Sequence, residues 1–104
     1  MQKQIAMALA LAACAATAQA QGDAERGKAK TITCVPCHGA DGKATLSMYP
    51  NLAGQNYEYL VNAMKAYKVG QRKGGSAGLM LAPMATLSEQ DIQDLAAWYG
   101  SLGK

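Results

Sequence analysis

The chain has 104 residues, half of them apolar and 16% charged, with a formal net charge of +3, three cysteines, one histidine and no phenylalanine. Single cores run to about 100–150 residues, so there is room for one domain, which excludes an enzyme with separate cofactor and substrate domains. The composition is not polar enough for a disordered chain, and the mild positive charge gives no reason to expect nucleic acid.

Residues 1–20 have the layout of an export signal. Lys3 supplies the early cation, an apolar run extends from Ile5 to Ala16, and Ala18-Gln19-Ala20 ends it with a small-x-small cleavage site. The expected organisation is a cleaved signal peptide over 1–20 and one domain over 21–104. Cys14, in Leu11-Ala12-Ala13-Cys14, offers a second outcome, lipidation at a bacterial lipobox, against which stands the short apolar run before it. Beyond the alanine-rich start, no stretch reaches the ~20 apolar residues of a membrane span.

The domain that remains is short of core. Of its 84 residues 37 are apolar, but 12 of these are alanine and two are cysteine, leaving 23 larger side chains. Domains this small usually need a disulfide, a metal or another staple.

In chain order, a first helix is expected over about 23–33, with Asp23 as its N-cap and Glu25 in the first turn, where an acid complements the helix dipole. It leads into Cys34-Val35-Pro36-Cys37-His38, the C-x-x-C-H attachment motif of c-type haem. Two thiols three residues apart can each add to one vinyl group of the porphyrin, and the adjacent histidine presents its imidazole to the iron. The cofactor would then serve as the missing core. A redox dithiol would want a βαβ context, which is absent. A structural zinc site would need further Cys or His ligands that the domain does not have.

Residues 39–55 and 70–87 are rich in Gly, Pro, Ser and Ala and show no strand alternation, so both are expected to be loops. Between them a second helix is expected over about 56–69, ended by Gly70. Tyr57, Leu60, Val61, Met64 and Tyr67 make one apolar face at i, i+3, i+4 and i+7 spacing. Lys65, Lys68, Arg72 and Lys73 cluster at its end, as cations suit a helix C-terminus or would suit an acidic docking partner. The third helix is expected over 88–102. Ser88 and Asp91 form a capping box, and Ile92, Leu95, Ala96, Tyr99 and Leu102 line the inner face with Trp98 alongside.

This order of motifs resembles the class I c-type cytochromes, specifically the small soluble monohaem type related to the di-haem periplasmic cytochromes. The likeness runs through GDAERG at 22–27, CVPCHGADG at 34–42, PNLAGQ at 50–55, the methionines near 80–84 and LSEQDIQDLAAWY at 87–99. It implies an all-α cytochrome c fold of three main helices and long loops wrapped around one covalently attached haem c. Cys34 and Cys37 would form the thioethers and His38 would be the proximal iron ligand. Pro50 would accept the imidazole N–H through its carbonyl, and Gly27 would mark the crossing of the first and last helices beneath Trp98. For the sixth ligand, Met80 keeps the family's spacing from the third helix and is preferred to Met84, while Met48 and Met64 are assigned to the core.

The resemblance further implies an electron-transfer protein and not an enzyme: both axial positions would be filled, and methionine ligation with burial favours ferrous iron. The electron would leave at a haem edge ringed by residues 39–42 and 78–83. The expected setting is the periplasm, in a respiratory chain or beside a dehydrogenase. The partners would be an electron donor and an acceptor, with the protein itself a monomer, no membrane span and no nucleic acid. The competing readings are an electron-transfer subunit tethered through a lipid, and a haem enzyme or gas sensor with an open sixth position.

Overall fold

The computed structural model describes residues 22–103; the expected signal peptide and Cys14 lie outside the described residues. Helices α1 (Ala24–Ala29), α2 (Val35–His38), α3 (Tyr57–Lys68), α4 (Leu81–Ala85) and α5 (Glu89–Ser101) follow in order, with a 3-10 turn at Ala77–Met80 before α4. Among the described residues there is no strand.

The start of each main helix is fixed by one side chain. Asp23 accepts from the Arg26 N–H, Asn56 from the Tyr59 N–H, and Ser88 from the Asp91 N–H. At Ser88 the capping box is complete, because Asp91 accepts from the Ser88 N–H in return. α3 ends in a Schellman motif: Gly70, at φ +75°, and Gln71 donate to the Tyr67 and Ala66 carbonyls.

Two elements differ from the sequence expectation. The first helix stops at Ala29, where Lys30 caps it, and the chain turns before the short α2. The second expected loop holds the 3-10 turn and α4, with Pro83 early in the helix, where its missing N–H costs no hydrogen bond. Helices this short do not hold themselves; they form because they wall a cleft.

The core sits between α3 and α5, where Leu60, Leu95, Ala96 and Tyr99 form one buried cluster. Tyr57, Val61, Met64, Leu87, Trp98 and Leu102 pack around it. α1 crosses α5 at Gly27, where a Cβ would lie 1.9 Å from the Asp94 carbonyl oxygen and 2.9 Å from the Trp98 Cβ. Only glycine permits that approach. The crossing is pinned by Asp94, wholly buried, which accepts from the Asp23 N–H (2.8 Å), Lys30 Nζ (2.7 Å), Gln90 Nε2 (3.0 Å) and Arg26 Nε (3.3 Å).

Candidate functional site

The loops close over one side of this core and leave a cleft of about 410 Å³, mostly apolar in its walls. That lies within the roughly 300–1,000 Å³ of pockets that enclose a sizeable organic ligand. Cys34, Cys37, His38, Pro50, Met80 and Met84 all line it. Every site residue expected from the sequence is therefore gathered at one cavity.

Residues 34–38 are shaped by hydrogen bonds from Cys34, Val35, His38 and Gly39 to carbonyls three or four residues back. The turn puts both thiols and the imidazole on the cleft wall, and neither thiol is in a disulfide. Gly39, at φ +82°, then swings the chain away, and a Cβ there would strike the Lys43 carbonyl oxygen at 2.1 Å. The carbonyl of Gly42 accepts from the Leu52 and Ala53 N–H groups (2.7 and 3.0 Å), which holds the 50–55 segment against the 39–43 turn. The Gly54 N–H meanwhile donates to the Tyr99 carbonyl (2.9 Å), satisfying a carbonyl near the end of α5.

Pro50 is thereby set beside His38, whose Nδ1 lies 2.9 Å from the Pro50 carbonyl oxygen. A carbonyl only accepts, so Nδ1 carries a proton, and in the neutral ring Nε2 is the nitrogen with the lone pair. A neutral, oriented imidazole with a free Nε2 is the form that ligates a metal. The Tyr49 ring stands edge-on to it, with centroids 6.5 Å apart.

Tyr99 and Met48, read from sequence as core residues, stand in the cleft wall. Tyr99 is buried beside Cys34, and its hydroxyl has no hydrogen-bond partner. Burial foremost, and then the Cys34 sulfur, push its pKa well up. Burial foremost raises the Cys34 thiol above its ordinary value. An orphaned hydroxyl and two free thiols in an apolar cleft fit a large, mostly apolar group that bonds covalently to sulfur. Met48, assigned to the core from sequence, is instead 58% exposed at the cleft rim. Met84 is 2% exposed, whereas Met80 is only partly buried.

The cationic cluster at the end of α3 also resolves into separate roles. Lys65 pairs with Glu89 at 2.8 Å and Lys68 donates to the Leu87 carbonyl, so both tie α3 to the start of α5. Arg72 and Lys73 instead line the cleft.

A covalent porphyrin site in an all-helical wrapper of this size is the arrangement of a class I c-type cytochrome. Residues 24–103 match the cytochrome c family model, and the chain belongs to that family. It is 52% identical over 75 residues to cytochrome c-554(548) of Halomonas halodenitrificans, an alignment covering 72% of this chain and 90% of that one. It superposes on reduced recombinant cytochrome c4 from Pseudomonas stutzeri with a TM-score of 0.68 and 37% identity, over 79% of this chain and 46% of that one. Thiosulfate dehydrogenase from Marichromatium purpuratum gives a TM-score of 0.73 and 32% identity, over 81% of this chain and 20% of that one. The chain thus spans about half of the cytochrome c4 and a fifth of the dehydrogenase. The fold is the all-α cytochrome c fold, and the protein is an electron-transfer cytochrome with one covalently bound haem c.

Proposed function

We propose that this cytochrome carries single electrons between periplasmic redox proteins, through a haem held by Cys34 and Cys37 and ligated by His38 and Met80. The observation that carries the reading is the His38–Pro50 contact of 2.9 Å on the same cleft wall as the two thiols. When bound, the haem supplies a one-electron ferric/ferrous couple. The chain supplies the rest. The thiols of Cys34 and Cys37 make the attachment permanent, and Pro50 fixes the His38 tautomer so that Nε2 faces the metal without a proton. The apolar walls exclude water, which favours the less charged ferrous state.

Met80 is preferred to Met84 because it keeps the family's spacing from the last helix, while Met84 is already buried to 2% exposure. Met80 borders the cleft with its side chain partly free. A thioether is a soft donor suited to ferrous iron. In the ferric spectrum, Met80→Ala is expected to abolish the methionine–iron charge-transfer band, while Met84→Leu keeps it. The reverse pattern would make Met84 the ligand.

Residues 1–20 would direct the chain to the periplasm and be removed after Ala20. The likeness to part of a thiosulfate dehydrogenase favours a second setting, as an electron-transfer subunit held beside a dehydrogenase, with a lipid on Cys14 as the tether. No helix among the described residues is long and apolar enough to cross a membrane. Intact mass of the exported protein separates the two. A mass for residues 21–104 plus one haem supports the free shuttle; a diacylglyceryl-modified chain beginning at Cys14 supports the tether.

A further inference from the structure

We propose that Arg72 and Lys73 are the site on this chain that takes the two carboxylates of the haem, with Arg72 held in readiness by the Tyr67 ring. The inference rests on the haem reading above and assigns a role to residues that the attachment motif does not touch.

Among the described residues the cleft wall contains no Asp or Glu, and Arg72 and Lys73, adjacent in sequence, are its only Lys or Arg side chains. Among the described residues, the other cations near the core are committed: Arg26 and Lys30 to Asp94, Lys65 to Glu89 and Lys68 to the Leu87 carbonyl. Arg72 and Lys73 make no ion pair there. Arg72 is nevertheless held. Its guanidinium lies 4.8 Å from the Tyr67 ring centroid, and the Tyr59 hydroxyl beside it raises its pKa. Its N–H and that of Gln71 both point at the Ala66 carbonyl (3.4 and 2.8 Å), so its position follows from the end of α3. The open Gly74-Gly75 turn begins only afterwards.

Haem is apolar over most of its surface and carries two ionised propionates. Placing carboxylates against an apolar wall without a partner is costly, so they belong at the cleft's cationic edge. A stacked guanidinium suits this better than a free lysine, because its planar fork matches a carboxylate and less freedom is lost on pairing. Pairing also offsets negative charge close to the iron. With Arg72 absent, an uncompensated carboxylate would favour ferric iron.

The test uses haem-loaded protein matured in a bacterium, with Arg72→Gln, Arg72→Lys and, as a control of equal charge change away from the cleft, Lys28→Gln. Arg72→Gln is expected to lower the ferrous-to-ferric ratio severalfold at a fixed applied potential. It should also shift the propionate carboxylate bands in the redox-difference infrared spectrum. Arg72→Lys should produce a smaller change in both, and Lys28→Gln neither. The proposal is overturned if Arg72→Gln, with its covalent haem verified by mass, matches Lys28→Gln in both measurements. Should Arg72→Gln fail to accumulate, an Arg72→Lys protein with unshifted carboxylate bands overturns it equally. A mass without haem in the unaltered protein would instead sink the parent reading.

Discussion

Asp94 is the acidic side chain that the described fold buries completely, and its environment makes a prediction about pH. Burial alone would raise its carboxyl pKa. Hydrogen bonds from Lys30, the Asp23 N–H, Gln90 and Arg26 outweigh that and hold it well below the usual carboxylate range. A folded-state pKa below the unfolded value means that the unfolded chain binds more protons as pH falls. The stabilisation is therefore complete above the unfolded pKa of about 3.9 and drains away below it. Asp94→Asn should cost about 2 kcal/mol at neutral pH, less than a fully buried pair because Arg26 and Lys30 keep access to water. It should also flatten the acid limb, though Asp91, whose pKa Lys30 lowers, retains part of the slope. Denaturant unfolding of the haem-loaded protein between pH 3 and 7 checks both. Parallel curves for the two proteins would remove Asp94 from the account. The cluster had a faint signature in the sequence: Arg26 and Lys30 stand at i, i+4 and Asp91 and Asp94 at i, i+3, two complementary stripes. The family resemblance placed the crossing of these helices at Gly27, but the spacing of the charges does not say that they pair across it.

At the scale of elements, what could be foreseen divides by the range of the interactions that decide it. The starts of α1 and α5 were legible because Asp23 and Ser88 act on N–H groups three residues away, as Asn56 also does at the start of α3. The apolar faces of α3 and α5 were legible from their period, and Cys34, Cys37 and His38 from a spacing that carries its own chemistry. The α2 turn and α4 were not, because each is held by the cleft it walls. The Pro50 contact was reached only through the family resemblance, and the Tyr67–Arg72 stack not at all, since it depends on how α3 ends. Two variants separate local from tertiary control. Ser88→Ala removes half of the capping box and should cost about 1 kcal/mol while leaving the absorption spectrum unchanged. Gly27→Ala drives a Cβ into the α5 backbone at a crossing that cannot open without breaking the Asp94 cluster. It should cost about 3 kcal/mol or more. Equal losses in chemical denaturation would mean that the α1–α5 contact is softer than its geometry implies.

For the molecule as a whole, the question is how so little buried protein holds one shape. Among the described residues the buried apolar side chains are Ala53, Leu60, Met84, Ile92, Leu95, Ala96 and Tyr99, and two of these seven are alanines. Leu60, Met84, Leu95 and Tyr99 also face the cleft, so more than half of this core packs on protein from one side and on the cofactor from the other. At roughly 25 cal/mol per Å² of apolar surface, that arrangement alone leaves little margin over chain entropy. Filling the cleft adds a rigid apolar body that touches α2, α3, α4 and the loops at once, and the thioethers prevent its dissociation. The Cys34→Ser/Cys37→Ser chain, exported and purified without covalent haem, is accordingly expected to keep at most part of its helical circular dichroism. It should also lose the cooperative unfolding transition of the haem-loaded protein. α3 and α5, which share the Leu60–Leu95–Ala96–Tyr99 cluster, should hold the residual helix, whereas α2 and α4 are short and contribute no residue to that buried cluster. Amide hydrogen exchange distinguishes these regions. Slow exchange throughout α4 in the haem-free chain would show that protein packing suffices and that the cofactor is a guest in a finished fold.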